Sequence, residues 1–205
     1  MTRYRTALLQ ERAREVNRLQ KTLEGANIKL AAVLSDITGV SGQRILDALL
    51  AGESDPASLA DLAHWRVQSK REALEQAVVG QVGSALHFVV SQQLKHLRGL
   101  DEQIEGCDAE VESQMSPFAA ELERLDEIPG VGPRTAQVIL AEIRVDMSRF
   151  PSANHLAAWA GMSPGNNASG GKARPARTRR GSPWPHISHN KSSVRSVWPL
   201  LDASC

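Results

Sequence analysis

Ile128-Pro129-Gly130-Val131-Gly132-Pro133-Arg134-Thr135-Ala136 joins two segments of apolar periodicity, and this hydrophobic-Gly-hydrophobic-Gly turn predicts a helix-hairpin-helix. Gly130 and Gly132 read as positions free to take positive φ and to let a phosphate approach the main chain. Pro133 suits the first position of the following helix, whose unpaired N–H groups and positive dipole end attract an anion. A turn of this kind grips DNA backbone and not bases, with Gly130 and Gly132 as main-chain donors and Arg134 and Thr135 as contacts at the start of the second helix. The same Gly-X-Gly-Pro pattern also joins helices for purely steric reasons.

Upstream of the turn, Phe118, Leu122 and Leu125 predict its first helix, and Pro117 ends whatever precedes it. From about Val82 to Met115 the residues Leu86, Val90, Leu97, Leu100, Ile104, Cys107 and Val111 keep near-heptad spacing, which predicts one long arm. Gln93 and Gln114 interrupt its seam, so packing within the chain and dimerisation through the arm both stand open. Asp101, Glu102, Glu105, Asp108, Glu110 and Glu112 read as the solvated side of this arm and not as metal ligands. Downstream, Val138, Ile139, Ala141 and Ile143 extend the second helix to about Arg144, and Ser152 is the expected cap of a short helix through Leu156, Ala157 and Trp159.

Nearer the amino terminus, residues 3–24 predict an amphipathic helix with Leu9, Val16, Leu19 and Leu23 near one face and Gly25 as its stop. Ser41 is the expected cap of a helix carrying Ile45, Leu46, Leu49 and Leu50 and ending at Gly52. Asp55-Pro56 starts another, with Leu59, Leu62 and Ala63 on its buried side.

The fold class this pattern predicts is all-α. A Leu/Ala/Val-rich apolar set and only 4% aromatic residues suit helices, and no strand pattern of convincing length is present. The net charge of +1 conceals an asymmetry: Gly165 to Leu201 holds seven Lys or Arg and no Asp or Glu. That excess suits a polyanionic partner, and equally a solvated tail. Cys107 and Cys205 have no metal-ligand spacing and imply a reducing compartment. The charged amino terminus and the lack of an 18-residue apolar run predict no membrane span, and the expected location is cytoplasmic. The six histidines make no metal spacing.

Asn166-Asn167-Ala168-Ser169-Gly170-Gly171-Lys172 is a polar loop with one hydroxyl beside an ammonium. A serine becomes a nucleophile when its proton is removed and the developing charge is stabilised, which Lys172 and Arg174 could assist. By spacing alone, such a loop is equally a flexible turn.

Several segments in order resemble the insertion-sequence 110/116/902 transposase family, related to the Piv-type DNA invertases. They are Gly39-Val40-Ser41-Gly42 through Ile45-Leu46 and Leu49, Ala51-Gly52-Glu53 with Asp55-Pro56 and Leu59-Ala60, and the Lys70 to Gly80 segment. Ile128 to Gly132 with Thr135-Ala136 follows, then Glu142-Ile143 with Asp146-Met147 and Arg149-Phe150. Leu156 to Met162 with Pro164, and Ser169-Gly170-Gly171-Lys172, complete the likeness, which runs from about residue 5 to about residue 181.

The resemblance implies a recombinase with an amino-terminal RNase H-like domain bearing Asp/Glu metal ligands, a coiled-coil connection and a carboxy-terminal transposase domain. No position here matches those carboxylates, so no cofactor is expected in this chain; a divalent metal (Mg) is implied for the missing domain of intact relatives. Ser169 falls at the family's catalytic serine, expected to attack a DNA phosphodiester, and Lys172, Arg174 and Arg177 join the expected DNA contacts. DNA is the implied partner, with an element-encoded guide RNA in part of the family, and a homo-oligomer through the arm is a further expectation. The expected organisation is a helical connection and arm over 1–120, a helix-hairpin-helix transposase domain over 121–181 and a disordered tail over 182–205, where Ser182-Pro183-Trp184 departs from the family and suggests a shifted frame. The expected function is thus that of a truncated, DNA-binding piece of a transposase, inactive alone. The alternative is a non-catalytic nucleic-acid-binding or dimerising helical module.

Overall fold

The structure, a computed structural model, describes residues 1–80 and 82–160 together with the backbone of 168–169 and 172–173. Its class is all-α. In chain order the helices are α1 (Thr2–Gly25), α2 (Leu30–Val33), α3 (Val40–Leu50), α4 (Pro56–Asp61), α5 (Arg71–Ala77), α6 (Ser84–Met115), α7 (Ala119–Asp126), α8 (Pro133–Ile143) and α9 (Ala153–Trp159). Short 3-10 turns occupy Trp65–Lys70, Ser116–Phe118 and Met147–Arg149. The chain divides into two compact units, one of Arg5–Gly106 and one of Met1–Tyr4 with Cys107–Cys205.

In the unit of Arg5–Gly106, the apolar faces of α1, α3, α4, α5 and α6 close on one core that includes Leu19, Ile37, Ile45, Leu59, Leu74 and Leu94. On α1 Leu19 and Leu23 are buried as expected, but in the first turns it is Leu8 that is buried, at 4% exposure, and Leu9 stands 39% exposed, contrary to the sequence expectation. At 100° per residue Leu8 lies within about 20° of Leu19, and Leu9 about 80° away. The same face carries two charged side chains. Glu15 is buried and accepts from Arg18 Nη1 at 2.8 Å. Arg12 makes a two-pronged ion pair with Asp101 of α6 and also donates to Thr38 Oγ1 at 3.3 Å. That acidic partner raises the Arg12 pKa further.

Helix α1 ends at the expected Gly25, and the left-handed residue that closes it is Asn27, two positions on. Ile28 N donates to Leu23 O and Asn27 N to Glu24 O, each at 2.9 Å, and Asn27 takes φ 61. This is the paired closure of a left-handed cap, with Leu23 and Ile28 both buried beneath it; asparagine tolerates that conformation better than most residues.

Ser41 is not a cap. Gly39 precedes α3, and Ser41 lies inside it, buried, with its Oγ accepting from His64 N at 2.9 Å. Gly42 is fixed by sterics, since a Cβ there would sit 2.0 Å from Ile37 O. Asp36 accepts from Thr38 N at 2.8 Å and Thr38 Oγ1 at 2.7 Å. Partial burial pushes the Asp36 carboxyl up, but those hydrogen bonds and the charge of Arg12 outweigh it and hold it below its ordinary value. Asp55 is the cap that Asp55-Pro56 predicts, accepting from Ser58 N at 2.8 Å with Pro56 in the first turn.

The long arm exists as α6, and Val90, Leu94 and Leu97 of its seam belong to the core of their own unit. The intrachain alternative therefore accounts for that part of the seam. Pro117 follows the end of α6 as expected, in a 3-10 turn, while Phe118 is 37% exposed and lies outside α7.

The other unit has its own core of Leu125, Ile128, Val131, Ile139, Ile143 and Leu156, among others. On α8 the buried residues are Ala136, Ile139, Leu140 and Ile143, a spacing of three and four that leaves Ala141 exposed. Phe150 meets Trp159 edge-on at 5.6 Å. Ser152 precedes α9 at the expected place, but its Oγ bonds to His155 Nδ1 at 2.8 Å instead of capping the backbone. Arg144, after α8, takes φ 67 and ψ 175, a region that suits glycine alone.

Two stability measurements check this description. In urea unfolding, Leu8→Ala is expected to cost about 2–5 kcal/mol and Leu9→Ala less than about 1 kcal/mol, the reverse of the sequence expectation. Arg144→Gly is expected to stabilise by about 1 kcal/mol through relief of its backbone, and a loss of stability would contradict the conformation.

Candidate functional site

The segment between α7 and α8 is a tight turn anchored at both ends. Val131 N donates to Ile128 O at 2.9 Å, and the Ile128 and Val131 side chains are buried at 4% and 3% exposure. Between them Pro129 and Gly130 face outward, with Gly130 at φ 86. Pro at the second position and a positive-φ glycine at the third are the requirements of a type II turn. A Cβ on Gly130 would meet nothing within 4 Å, so the glycine is needed for its dihedral angle and leaves open space above the turn.

Gly132 differs from the expectation. It takes φ -89 and ψ 173, an extended conformation open to any residue. Two causes agree: residues that precede a helix adopt the β region, and the ring of Pro133 drives its predecessor there. Gly132 O accepts the first bond of α8 from Ala136 N at 2.9 Å, and no side chain caps the helix. The first-turn N–H groups of this 11-residue helix therefore open toward the side where Gly130, Gly132 and Pro133 are exposed.

Arg134 is the second residue of α8, and its side chain is 50% exposed. Its Nη1 lies 3.2 Å from Gln137 Oε1 and 3.3 Å from Asp108 Oδ1 of α6. Thr135 follows, half-buried. At the far end of α8, Glu142 accepts two hydrogen bonds from the Arg3 guanidinium, at 2.7 and 2.6 Å. That carboxylate lifts the Arg3 pKa above its usual value.

The structure thus brings Gly130, Gly132, Arg134 and Thr135 to one exposed helix end. It also corrects the reading of Asp108 as a solvated acid: its side chain is only 24% exposed and is paired with Arg134. The signal was present in the spacing, because Ile104, Asp108, Val111 and Met115 recur at steps of four and three along the inward stripe of α6.

Ala168–Ser169 and Lys172–Ala173 form a two-stranded antiparallel ladder in which Ser169 faces Lys172 in register, with Gly170 and Gly171 between them in sequence. A Gly-Gly pair between short segments is a hairpin signal that the loop reading passed over. The side chains of Ser169 and Lys172, and the whole of Arg174 and Arg177, lie outside the described residues. The same holds for Cys205 and for the basic stretch from Gly165 onward, apart from the ladder backbone.

Among the described residues no three His, Cys, Asp or Glu side chains gather as a metal ion would need. They offer no ligand set for the divalent ion that the resemblance implies. No helix among them is long and apolar enough to cross a membrane.

Residues 122–184 match the family described as "Transposase IS116/IS110/IS902 family". The chain is also similar to the "Insertion element IS110 uncharacterized 43.6 kDa protein" of Streptomyces coelicolor (strain ATCC BAA-471 / A3(2) / M145), at 35% identity over 101 residues. That alignment covers 47% of this chain and 23% of the relative, so the chain spans about a quarter of the relative it matches. No solved structure matches the chain.

Turn geometry gives a stability prediction for the site. Gly130→Ala forces an L residue to positive φ and is expected to cost about 1–2 kcal/mol, whereas Gly132→Ala costs a few tenths to about 1 kcal/mol. Equal effects in thermal or urea unfolding would contradict the assignment of the turn.

Proposed function

We propose, from the premise that this chain belongs through residues 122–184 to the IS116/IS110/IS902 transposase family, that it is a DNA-binding part of a transposase that acts in DNA transposition. The observation that carries the reading is the uncapped, exposed amino end of α8 beside Gly130, with Arg134 at its rim. A duplex phosphate there would accept hydrogen bonds from first-turn N–H groups and a charge-assisted bond from Arg134. Contacts of this kind carry no sequence preference and position the chain on the backbone. Lys172, Arg174 and Arg177 would extend the cationic track, as the absence of acidic residues from Gly165 to Leu201 favours.

In the reaction the resemblance implies, the Ser169 oxygen gives up its proton and forms a bond to a DNA phosphorus, and a sugar hydroxyl leaves. A second DNA hydroxyl then attacks the phosphoserine and restores the serine, so that one strand is cut and another joined. Acidic metal ligands required alongside this serine have no matching positions in this chain, and a divalent ion such as Mg would belong to a domain that supplies them. Alone, the chain binds and does not transfer strands. A guide RNA and self-association through α6 belong to the same proposal as partners.

Binding of a labelled duplex across a salt series tests the reading. Wild-type affinity is expected to fall steeply as salt rises, and Arg134→Gln to weaken binding and flatten the log–log slope by up to about 0.9. Salt-insensitive binding, or an Arg134→Gln protein that matches wild type, would sink the DNA contact. A covalent protein–DNA adduct formed by this chain alone and abolished by Ser169→Ala would instead overturn the claim that it lacks strand transfer.

A further inference from the structure

We propose that Asp108 sets the affinity of the DNA contact: its carboxylate occupies the place of a backbone phosphate against Arg134, and nucleic acid binds by displacing it. The inference rests on the reading of the α8 amino end as the DNA contact and goes beyond it by assigning an internal competitor.

Asp108 comes from α6 and Arg134 from α8, so the pair is not the neighbourly consequence of a single helix. Nη1 of Arg134 and Oδ1 of Asp108 are 3.3 Å apart. The acid is 24% exposed and the arginine 50%, so the guanidinium keeps an open side while the carboxylate is largely covered. No side chain of α8's own cap competes for the first-turn donors. A carboxylate beside an arginine presents the same charge complement as a phosphodiester, with one negative charge and two acceptor oxygens.

Exchange of one anion for the other is easy at such a site. An ion pair with a half-exposed partner is weak, because water screens it and two side chains must be held in place. Arg134 is therefore parked and not lost: Gln137, at 3.2 Å from the same nitrogen, accepts from it without adding charge. In the free protein Asp108 neutralises Arg134, so a phosphate that replaces it releases fewer counterions than one meeting a bare arginine.

Removing the competitor should therefore tighten binding. The full chain is titrated with a duplex oligonucleotide from about 50 to 200 mM salt, as wild type, Asp108→Asn, Asp108→Glu, Arg134→Gln and the Asp108→Asn/Arg134→Gln double variant. Asp108→Asn keeps the shape of the side chain, and its melting is followed in parallel. It is expected to bind about 3- to 10-fold more tightly at the low-salt end, with a log–log slope steeper by only a fraction of the about 0.9 that one full phosphate contact gives, an advantage that fades as salt rises. Asp108→Glu restores wild-type behaviour, and Asp108→Asn has no effect in the Arg134→Gln background.

If Asp108→Asn binds equally or more weakly while Arg134→Gln still loses affinity, Asp108 does not compete with phosphate, and the inference fails with the DNA contact intact. An Asp108→Asn gain that persists in the Arg134→Gln background would also overturn it, since the effect would not pass through the arginine. If Arg134→Gln matches wild type, the DNA contact itself fails and the inference with it.

Discussion

The carboxy-terminal core depends on the bond from Val131 N to Ile128 O together with the burial of both side chains that flank it. Two hydrophobic anchors three residues apart leave Pro129 and Gly130 nowhere to go but outward, and the chain reverses between α7 and α8 within that span. Reversal carries the next consequence. With Ala136, Ile139, Leu140 and Ile143 fixed inward, the start of α8 must open toward solvent, and Arg134 must emerge at its edge. An uncapped helix end open to solvent follows from a packing requirement, without any side chain dedicated to building it.

Helix α6 applies the same economy to charge. Asp101 and Asp108 stand one heptad apart at the margin of its inward stripe, and each holds an arginine from another part of its own unit: Arg12 in one, Arg134 in the other. Neither acid is solvated in the manner that a run of Asp and Glu suggests. Each is displaced by one position from an apolar seam residue, Leu100 or Cys107, which leaves the carboxylate partly covered and near enough to reach across.

Most of the helical architecture was legible in the sequence because periodicity and punctuation agree over long stretches. The arm of Ser84–Met115, the cap at Asp55 and the Pro129-Gly130 turn are cases where local chemistry admits few alternatives. Legibility failed where two residues compete for one role. Leu8 and Leu9 are chemically identical, and only their angle to Leu19 around the helix, about 20° against about 80°, separates them. Gly25 ends α1 as the sequence suggests, yet the left-handed cap falls on Asn27, where the apolar pairing of Leu23 with Ile28 sets it. Ser41 has the chemistry of a cap, yet a hydrogen bond to a residue 23 positions away uses it otherwise. At the candidate site the left-handed turn at Gly130 was evident from the motif, but the extended backbone of Gly132 and the partner of Arg134 were not, because ion pairs between separate helices leave only a faint mark in spacing.

Arg12 sits on the buried stripe of α1, where an aliphatic side chain would pack with less desolvation, and it reaches Asp101 with both arms of its guanidinium. Leucine stripes alone tolerate slippage, since a shift of one turn sets leucine against leucine again. A guanidinium paired with a carboxylate acts as a registration pin: moved by about 5.4 Å toward the start of α6 it would meet Leu97 and Arg98 with its charge uncompensated. The pairing of α1 with α6 in this unit is thereby chosen among near-equivalent alignments, at some expense in stability and with a gain in uniqueness.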